Sequence, residues 1–409
     1  MDKICRRDFL RLAGMGIPLA SSGLAFNSRS WKTERPALRE HSEPWLEINL
    51  DNIEWNLRQL KTTVNERPIM AVVKNNAYGH GQREVAEFLQ ERGIEYLAVA
   101  KAHDALDLRR NGISCPILNF GMFSSEEAEE LVRRRVTQSV FTDEFVALDL
   151  AARRLNTPAK VHIKVDTGLG RVGVPHHAAL PFIRRVAAST NIEIEGIFTT
   201  FTEDEEFDKV QLARFLEVCD ASESEGIAVG IRHAASSAGI LSFPQAHLDL
   251  VRPGITIYGH YPSEKTRIER IIDLKPVLEL KAPVQYIKTI QPGEGVSYHR
   301  PFIAWRETGV ATIGLGYFDG YPPDVANNCD VLINGRRHPI LVPLTSNHLA
   351  ADLLGHSDVN IGDEVVLIGK QGDQEVSAEE VAKRADISVY QLLIGMNPLL
   401  PKRYINGDR

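Results

Sequence analysis

Residues 69–81 read "IMAVVKNNAYGHG": an unbroken apolar run from Ile69 to Val73, then Lys74, two asparagines and Tyr78 among glycines. A short apolar run with β-branched members and no alternation is the pattern of a strand buried on both faces, as in a parallel sheet. Lys74 stands at the C-terminal end of that run, at the edge of a low-dielectric core. A lysine there either snorkels to solvent or keeps its amine partly desolvated, as a nucleophile able to form a Schiff base.

The pattern repeats along the chain. Strand-like runs follow at 96–100, 116–120, 138–142, 160–166, 192–199, 228–233 and 250–259. Amphipathic stretches separate them, such as "REVAEFLQERG", with Val85, Ala86, Phe88 and Leu89 on one face and Gly93 as a stop. Alternation of this kind predicts an α/β fold, a (β/α)8 TIM barrel. An open doubly wound sheet is the alternative, but no G-x-G-x-x-G follows the first strand. Beyond about residue 282 the segments become short, β-rich and punctuated by turns such as "PGEG", "DGYPPD" and "NGRRHP". The expected organisation is therefore a barrel over 45–282 and a C-terminal all-β domain over 283–409. "WLEINLDNIEWNLRQL", before the barrel, offers one further strand and a helix.

Composition narrows the function. A chain of 409 residues with 43% hydrophobic content supports two domains with sizeable cores. A net charge of -7 with no basic stripe argues against nucleic acid as a partner. Four scattered cysteines without a C-x-x-C pair argue against zinc and thioredoxin-like chemistry, and no metal is expected. Arg6-Arg7 precede an apolar segment, Leu10 to Ala25, that ends in small residues. Residues 1–25 thus read as a twin-arginine export signal cut after Ala25, which predicts a periplasmic protein with no stable membrane span once the signal is removed. Residues 26–44 are polar and aperiodic, a linker.

In a barrel of this kind chemistry belongs at the C-terminal ends of the strands. Those ends carry Lys74, then Lys164 and Asp166 with Arg171 in the loop "TGLGRVG", Thr199-Thr200, His233, and Arg252 with Gly254. The last two loops, 233–239 and 252–259, are rich in small residues whose amides can approach an anion. Lysine, anion cradle and arginines together point to pyridoxal phosphate.

The motifs "AVVKNNAYGHG", "KVDTGLGRVG", "VRPGITIYG", "PGEGVSYHR" and "GLGYFDGYP", in this order and at these spacings, resemble the alanine racemase family over residues 45 to about 405. The resemblance implies a pyridoxal-phosphate amino-acid racemase, built as a barrel plus β domain and working as a head-to-tail homodimer. It implies that Lys74 forms the imine with the cofactor and is the base on one face of the substrate. Tyr298, given by the other subunit, would be the base on the opposite face. Tyr78, Ser237, Gly254, Ile255 and Tyr390 match positions that hold the phosphate, and Arg252 one that faces the pyridine nitrogen. Arg171 would meet the cofactor's phenolic oxygen and the substrate carboxylate. Lys164 matches a lysine often carbamylated, which would orient Arg171, and Tyr317 a gate to the substrate channel. The logic is physical as well: inversion at Cα needs a proton acceptor on one face and a donor on the other. A phenol with an ordinary pKa near 10 needs its anion stabilised to serve as that base at neutral pH.

Each residue has a plainer reading beside this one. Lys74 alone would snorkel, Tyr298 would be a turn or interface tyrosine, Arg252 a rim ion-pair partner and Lys164 a partner of Asp166. His80 and His233 read as structural hydrogen-bonders, and the acidic run 203–206 as a solvated helix start. Two departures from the family pattern bear on the substrate. Thr200 stands where the family has a histidine, and Ser346 and Asn347 where it has Met-Asp. The expectation is a wider pocket for longer amino acids; the competing reading is impaired proton transfer, leaving a weak enzyme or an exported cofactor-binding protein. A decarboxylase of the same fold type would need a cysteine-bearing site in the β domain and a glycine-rich phosphate loop, and the chain offers neither.

Overall fold

In the computed structural model, which describes residues 42–326 and 328–406, the apolar runs form a ring of parallel strands. In chain order the first nine strands are β1 (Trp45–Asn49), β2 (Met70–Val72), β3 (Tyr96–Val99), β4 (Ile117–Asn119), β5 (Thr137–Val140), β6 (Ala159–Asp166), β7 (Val174–Pro175), β8 (Ile192–Phe198) and β9 (Ile231–His233). Parallel pairing runs β2-β3-β4-β5-β6-β8-β9, with the two-residue β7 beside β6. Helices connect the main strands, and their apolar faces pack on the ring; Val85, Ala86, Phe88 and Leu89 of helix Gln82–Glu91 are all buried. The α/β barrel with a mainly β C-terminal domain is the architecture observed.

The run 250–259 does not form the expected eighth strand. Two bridges, Ile69–Val251 and Ser236–Arg252, close the ring there, with Met70 N–H donating to the Val251 carbonyl at 2.8 Å. Pro253 has no N–H to carry the ladder further. The chain then turns, Ile257 bonding back to Gly254 and Tyr258 to Ile255. That turn brings Gly254 and Ile255 to the barrel mouth.

The C-terminal strands are β10 (Leu278–Ile290), β11 (Gly295–Val296), β12 (Phe302–Ile303), β13 (Thr308–Ile313), β14 (Asp330–Ile333), β15 (Arg336–Pro339), β16 (Leu349–Asp352), β17 (Glu364–Gln371), β18 (Gln374–Val376) and β19 (Lys402–Ile405). Their main sheet has the order β15-β14-β17-β10-β1-β19. The N-terminal strand β1 thus belongs to this sheet, antiparallel to β10 and parallel to β19, and not to the barrel. The cut expected at 282 falls inside β10, which starts on the barrel side and runs on for 13 residues. Short-range sequence patterning does not show either point, because β1 finds its partners more than 200 positions away. Residues 1–41, on which the expected export signal and most of the expected linker fall, lie outside the described residues. Among the described residues no helix is long and apolar enough to cross a membrane.

After β2 the chain does something a strand-end lysine alone does not predict. Lys74 opens a turn in which Asn75, Asn76, Ala77 and Tyr78 all have φ between 51° and 56°. Left-handed conformation costs a non-glycine residue about 1–2 kcal/mol, and asparagine bears it best. The turn is held from both sides. Ala77 N–H donates to the Val73 carbonyl at 3.0 Å, Gln82 Nε2 to the same carbonyl at 2.8 Å, and His80 Nδ1 lies 3.0 Å from the carbonyls of both Ala77 and Tyr78. From the C-terminal domain Tyr404 Oη donates to the His80 carbonyl at 3.1 Å. At Gly81, φ is +95° and any Cβ would run into the Tyr404 hydroxyl.

Candidate active site

A cavity of about 470 Å³ opens at the C-terminal ends of the barrel strands. Lys74, Tyr78, Lys164, Arg171, Ser237, Arg252, Gly254, Ile255 and Tyr390 all line it, and so does Thr200. Nine residues drawn from five separated stretches of sequence meet in one place: the ring of strands brings eight of them together at its end, and helix Val389–Gly395 adds Tyr390.

The cavity is strongly cationic. Lys74, Lys164, Arg171 and Arg252 face a single carboxylate in the lining, that of Glu203. Lys74 is half-buried, and its amine is lowered from the ordinary lysine range by burial and then by Arg171. Lys164 is buried, and burial, then Arg252, Arg171 and Lys74, pull its pKa down to about 8. It does not pair with Asp166. That carboxylate accepts instead from the backbone N–H groups of Gly168 at 2.9 Å and Gly170 at 3.1 Å, shaping the loop that presents Arg171. Arg252 is 5% exposed. It donates to the carbonyls of Thr199 at 2.8 Å and Ala234 at 2.9 Å and lies 2.8 Å from His233 Nδ1. Burial lowers Arg252 to about 9, which leaves it charged at neutral pH. Phe198 forms a shelf under this group: His233 stacks on it at 4.9 Å, and Lys164 Nζ and the Arg252 guanidinium each lie 5.3 Å from its ring centre.

The opposite side is an anion cup. Gly254 N–H donates to Ser237 Oγ at 2.9 Å, and Ser237 Oγ shares a hydrogen bond of 3.0 Å with Thr256. A Cβ on Gly254 would lie 2.5 Å from the Tyr78 hydroxyl, so only glycine lets the tyrosine reach that point. Tyr390 stands beside Tyr78, ring centres 6.1 Å apart. Two phenols, a serine and a glycine turn at one end, and lysine with arginines at the other, fit a phosphorylated aromatic aldehyde. Burial raises the pKa of both Tyr78 and Tyr390, so they serve as neutral hydrogen-bond donors.

The remaining candidates lie outside this lining. Tyr298 sits between β11 and β12, 79% exposed. Tyr317, 53% exposed, is brought next to the Ser346 segment: its N–H donates to the Thr345 carbonyl, and Phe318 N–H to that of Ser346, each at 3.1 Å. Ser346 Oγ donates to Asn347 Oδ1 at 3.0 Å. The acidic run 203–206, expected as a solvated helix start, does lead into helix Glu205–Ser224, capped by Asp204; Glu203 precedes the cap, is exposed, and stands at the cavity rim, a position the run alone does not predict. His162 was missed. Its position two residues before Lys164, on the same face of β6, is the signal that would have found it.

Residues 48–262 match the family description "Alanine racemase, N-terminal domain" and residues 277–404 "Alanine racemase, C-terminal domain". The chain belongs to the alanine racemase family. Members of this family are pyridoxal-phosphate-dependent isomerases. Among relatives, the alanine racemase of Halothermothrix orenii is 39% identical over 368 residues, 88% of this chain and 97% of that protein. That of Methanococcus maripaludis is 36% identical over 369 residues, 88% of this chain and 98% of its own. Among solved structures, the alanine racemase of Clostridium difficile 630 superposes with a TM-score of 0.84 at 33% identity, covering 89% of this chain and 96% of that one. The alanine racemase of Bacillus anthracis with bound L-Ala-P gives 0.83 at 33% identity, covering 90% and 96%. An alanine racemase family member needs a site for its cofactor, and the cationic cavity with its cup of Tyr78, Ser237, Gly254 and Tyr390 fits one.

Proposed function

We propose that this protein interconverts L- and D-alanine with pyridoxal phosphate, by a two-base mechanism that uses Lys74 and Tyr298, and that it also accepts longer amino acids. The convergence of Lys74, Lys164, Arg171 and Arg252 on one cavity beside the cup of Tyr78, Ser237, Gly254 and Tyr390 carries the reading. Pyridoxal phosphate, when bound, delocalises the negative charge left at Cα after proton removal. Tyr78, Ser237, Tyr390 and the Gly254–Ile255 backbone would hold its phosphate, and Arg252 its ring nitrogen. Arg171 supplies a fork for the substrate carboxylate. Lys74, its amine pulled down by burial and by Arg171, takes or gives the proton on one face.

Tyr298 would act on the other face only in a second copy's site, because in its own chain it is exposed and outside the cavity lining. The head-to-tail homodimer thus belongs to the proposal, with Tyr317, Ser346 and Asn347 facing the partner's cavity mouth. Lys164 is suited to carbamylation: its lowered pKa frees the amine to attack carbon dioxide, forming an N–C bond and releasing a proton. Thr200, smaller than a histidine, leaves space in the cavity for a longer side chain. Export through the signal at Arg6-Arg7 rests on that motif alone. Replacing both arginines by lysine should hold the protein in the cytoplasm on cell fractionation.

The deciding experiment incubates the cofactor-loaded protein in deuterium oxide with L-alanine, L-serine, L-lysine and L-arginine separately. Cα-deuteration and chirality are followed. Deuterated D-product from alanine and from the longer substrates is expected. Turnover of alanine alone would remove the pocket-widening role of Thr200. No exchange with any of them would leave a protein that only holds its cofactor.

A further inference from the structure

Below the cavity the barrel interior carries a line of polar side chains that the proposed chemistry does not use. His162 Nε2 lies 3.3 Å from Glu195 Oε2. His162 Nδ1 lies 2.7 Å from His233 Nε2, and His233 Nδ1 lies 2.8 Å from Arg252 Nη1. Both imidazoles are fully buried. Glu195 is the middle residue of β8, and its carboxylate reaches the starts of β5 and β6, where Thr137 Oγ1 donates to it at 2.9 Å and Lys160 Nζ at 2.7 Å. The line therefore runs from the lower mouth of the barrel to the arginine at the cavity. Barrel interiors are usually filled by branched aliphatic side chains. Gly196 makes room for this exception, since a Cβ there would lie 2.7 Å from the His162 ring.

The hydrogen bonds can run in one direction only. A guanidinium has donors and no acceptor, so His233 Nδ1 must be bare and its ring proton must sit on Nε2. That proton points at His162 Nδ1, which must be bare in turn. The His162 proton is then on Nε2, and it donates to the Glu195 carboxylate. Reversing one ring would set two N–H groups against each other at Arg252 or at the histidine pair. Burial, Arg252 and His162 keep His233 well below the usual histidine range, so it stays neutral. Burial raises Glu195, but hydrogen bonds from His162 and Lys160 outweigh it and hold its carboxyl at about 2.

We infer that Glu195, remote from the cavity, is a positioning residue for Arg252: it gives the His162 Nε2–H its acceptor and so, through His162 and His233, holds in place the bare Nδ1 against which the guanidinium lies. The inference rests on the proposed reading that Arg252 faces the cofactor ring. Arg252 receives no carboxylate directly from the partners described above, so this line is its link to a negative charge.

The test uses cofactor-loaded protein labelled with 15N-histidine, the signals of His162 and His233 being assigned by single His→Gln replacements. Both rings should show a bare Nδ1 and a protonated Nε2. Glu195→Gln keeps an acceptor for His162 and should keep this pattern, with kcat within about threefold of wild type. Glu195→Leu removes it. The His162 Nε2–H then has no acceptor, so the 15N signals of His162 and of its hydrogen bond with His233 should shift while Arg252 keeps the His233 Nδ1 bare, and kcat should fall roughly ten- to a hundredfold with little change in KM. The absorption of the bound cofactor should also shift. The pair Lys160→Met and Thr137→Val strips Glu195 of its other partners and should change neither the tautomers nor kcat. Unchanged histidine 15N signals in Glu195→Leu, or equal impairment by Glu195→Gln, would overturn the inference. A change in those signals with turnover and cofactor absorption untouched would instead overturn the reading that Arg252 faces the ring.

Discussion

Lys74 and Lys164 show how one residue type takes two characters from its surroundings. Both amines are lowered, by burial first. Lys74 keeps part of its surface exposed at the cavity, whereas Lys164 is enclosed among Phe198, Arg252 and Arg171. The folded protein therefore binds the Lys164 proton more weakly than the unfolded chain does. Below pH 8 both states carry the proton and the penalty on folding is complete; it is relieved as pH rises from about 8 toward the ordinary 10.5. Lys164→Met should accordingly stabilise the protein in carbon-dioxide-free buffer at pH 7, with the advantage shrinking by pH 10. Denaturant unfolding at the two pH values measures this, and an advantage that grows with pH would refute it. Lys74 and Arg252 were legible as site residues from their places at strand ends. Lys164's environment was not, because Arg252 and Lys74, two of the three groups that shift it most after burial, come from other strands.

The turn after β2 is the element on which the site's geometry depends. Four consecutive left-handed residues carry Tyr78 from the end of a strand back toward the Gly254 turn. Strain of this size persists only where packing over-determines it. Here the packing comes from Gln82, His80, Tyr404 and the helix Val389–Gly395, whose Leu393 carbonyl closes on Gly79. Gly81→Ala adds a methyl against the Tyr404 hydroxyl at a positive φ. It should cost about 3 kcal/mol in thermal or denaturant unfolding, and Tyr404→Ala in the same chain should recover part of that loss. It should also weaken cofactor binding, since Tyr78 moves with the turn. The asparagines at 75 and 76 were readable as residues that tolerate such a conformation; that Ala77 and Tyr78 adopt it too was not.

In the whole molecule the candidate residues fall into two groups, one around the cavity and one exposed on the C-terminal domain. If the second group completes the first in another copy, inactive variants should complement each other. Mixtures of Lys74→Ala and Tyr298→Phe subunits, exchanged by mild denaturation and refolding, should recover about a quarter of wild-type activity, because half the dimers are mixed and each holds one intact site. Either variant alone should stay inactive. No recovery in a mixture shown to contain mixed dimers would mean that Tyr298 does not act across an interface. The exposed Trp305, Ile303, Tyr286 and Phe318 on the same domain are the apolar groups such an interface would cover.

The barrel was determined by the sequence itself: apolar runs of strand length alternating with amphipathic stretches allow few other folds, and the strand ends then name Lys74, Lys164, Arg171 and Arg252. Local chemistry also supplied the turn at the cavity mouth, since small residues at 252–259 admit a close backbone approach. Only the tertiary structure decided that β1 joins the C-terminal sheet, that Pro253 reduces the eighth strand to bridges, and that Glu203 borders the cavity. It alone decided, too, that His162 and Glu195 stand in line beneath Arg252. Those outcomes depend on pairings between residues tens to hundreds of positions apart, and the hydrophobic period that reveals an element carries no information about which distant element it meets.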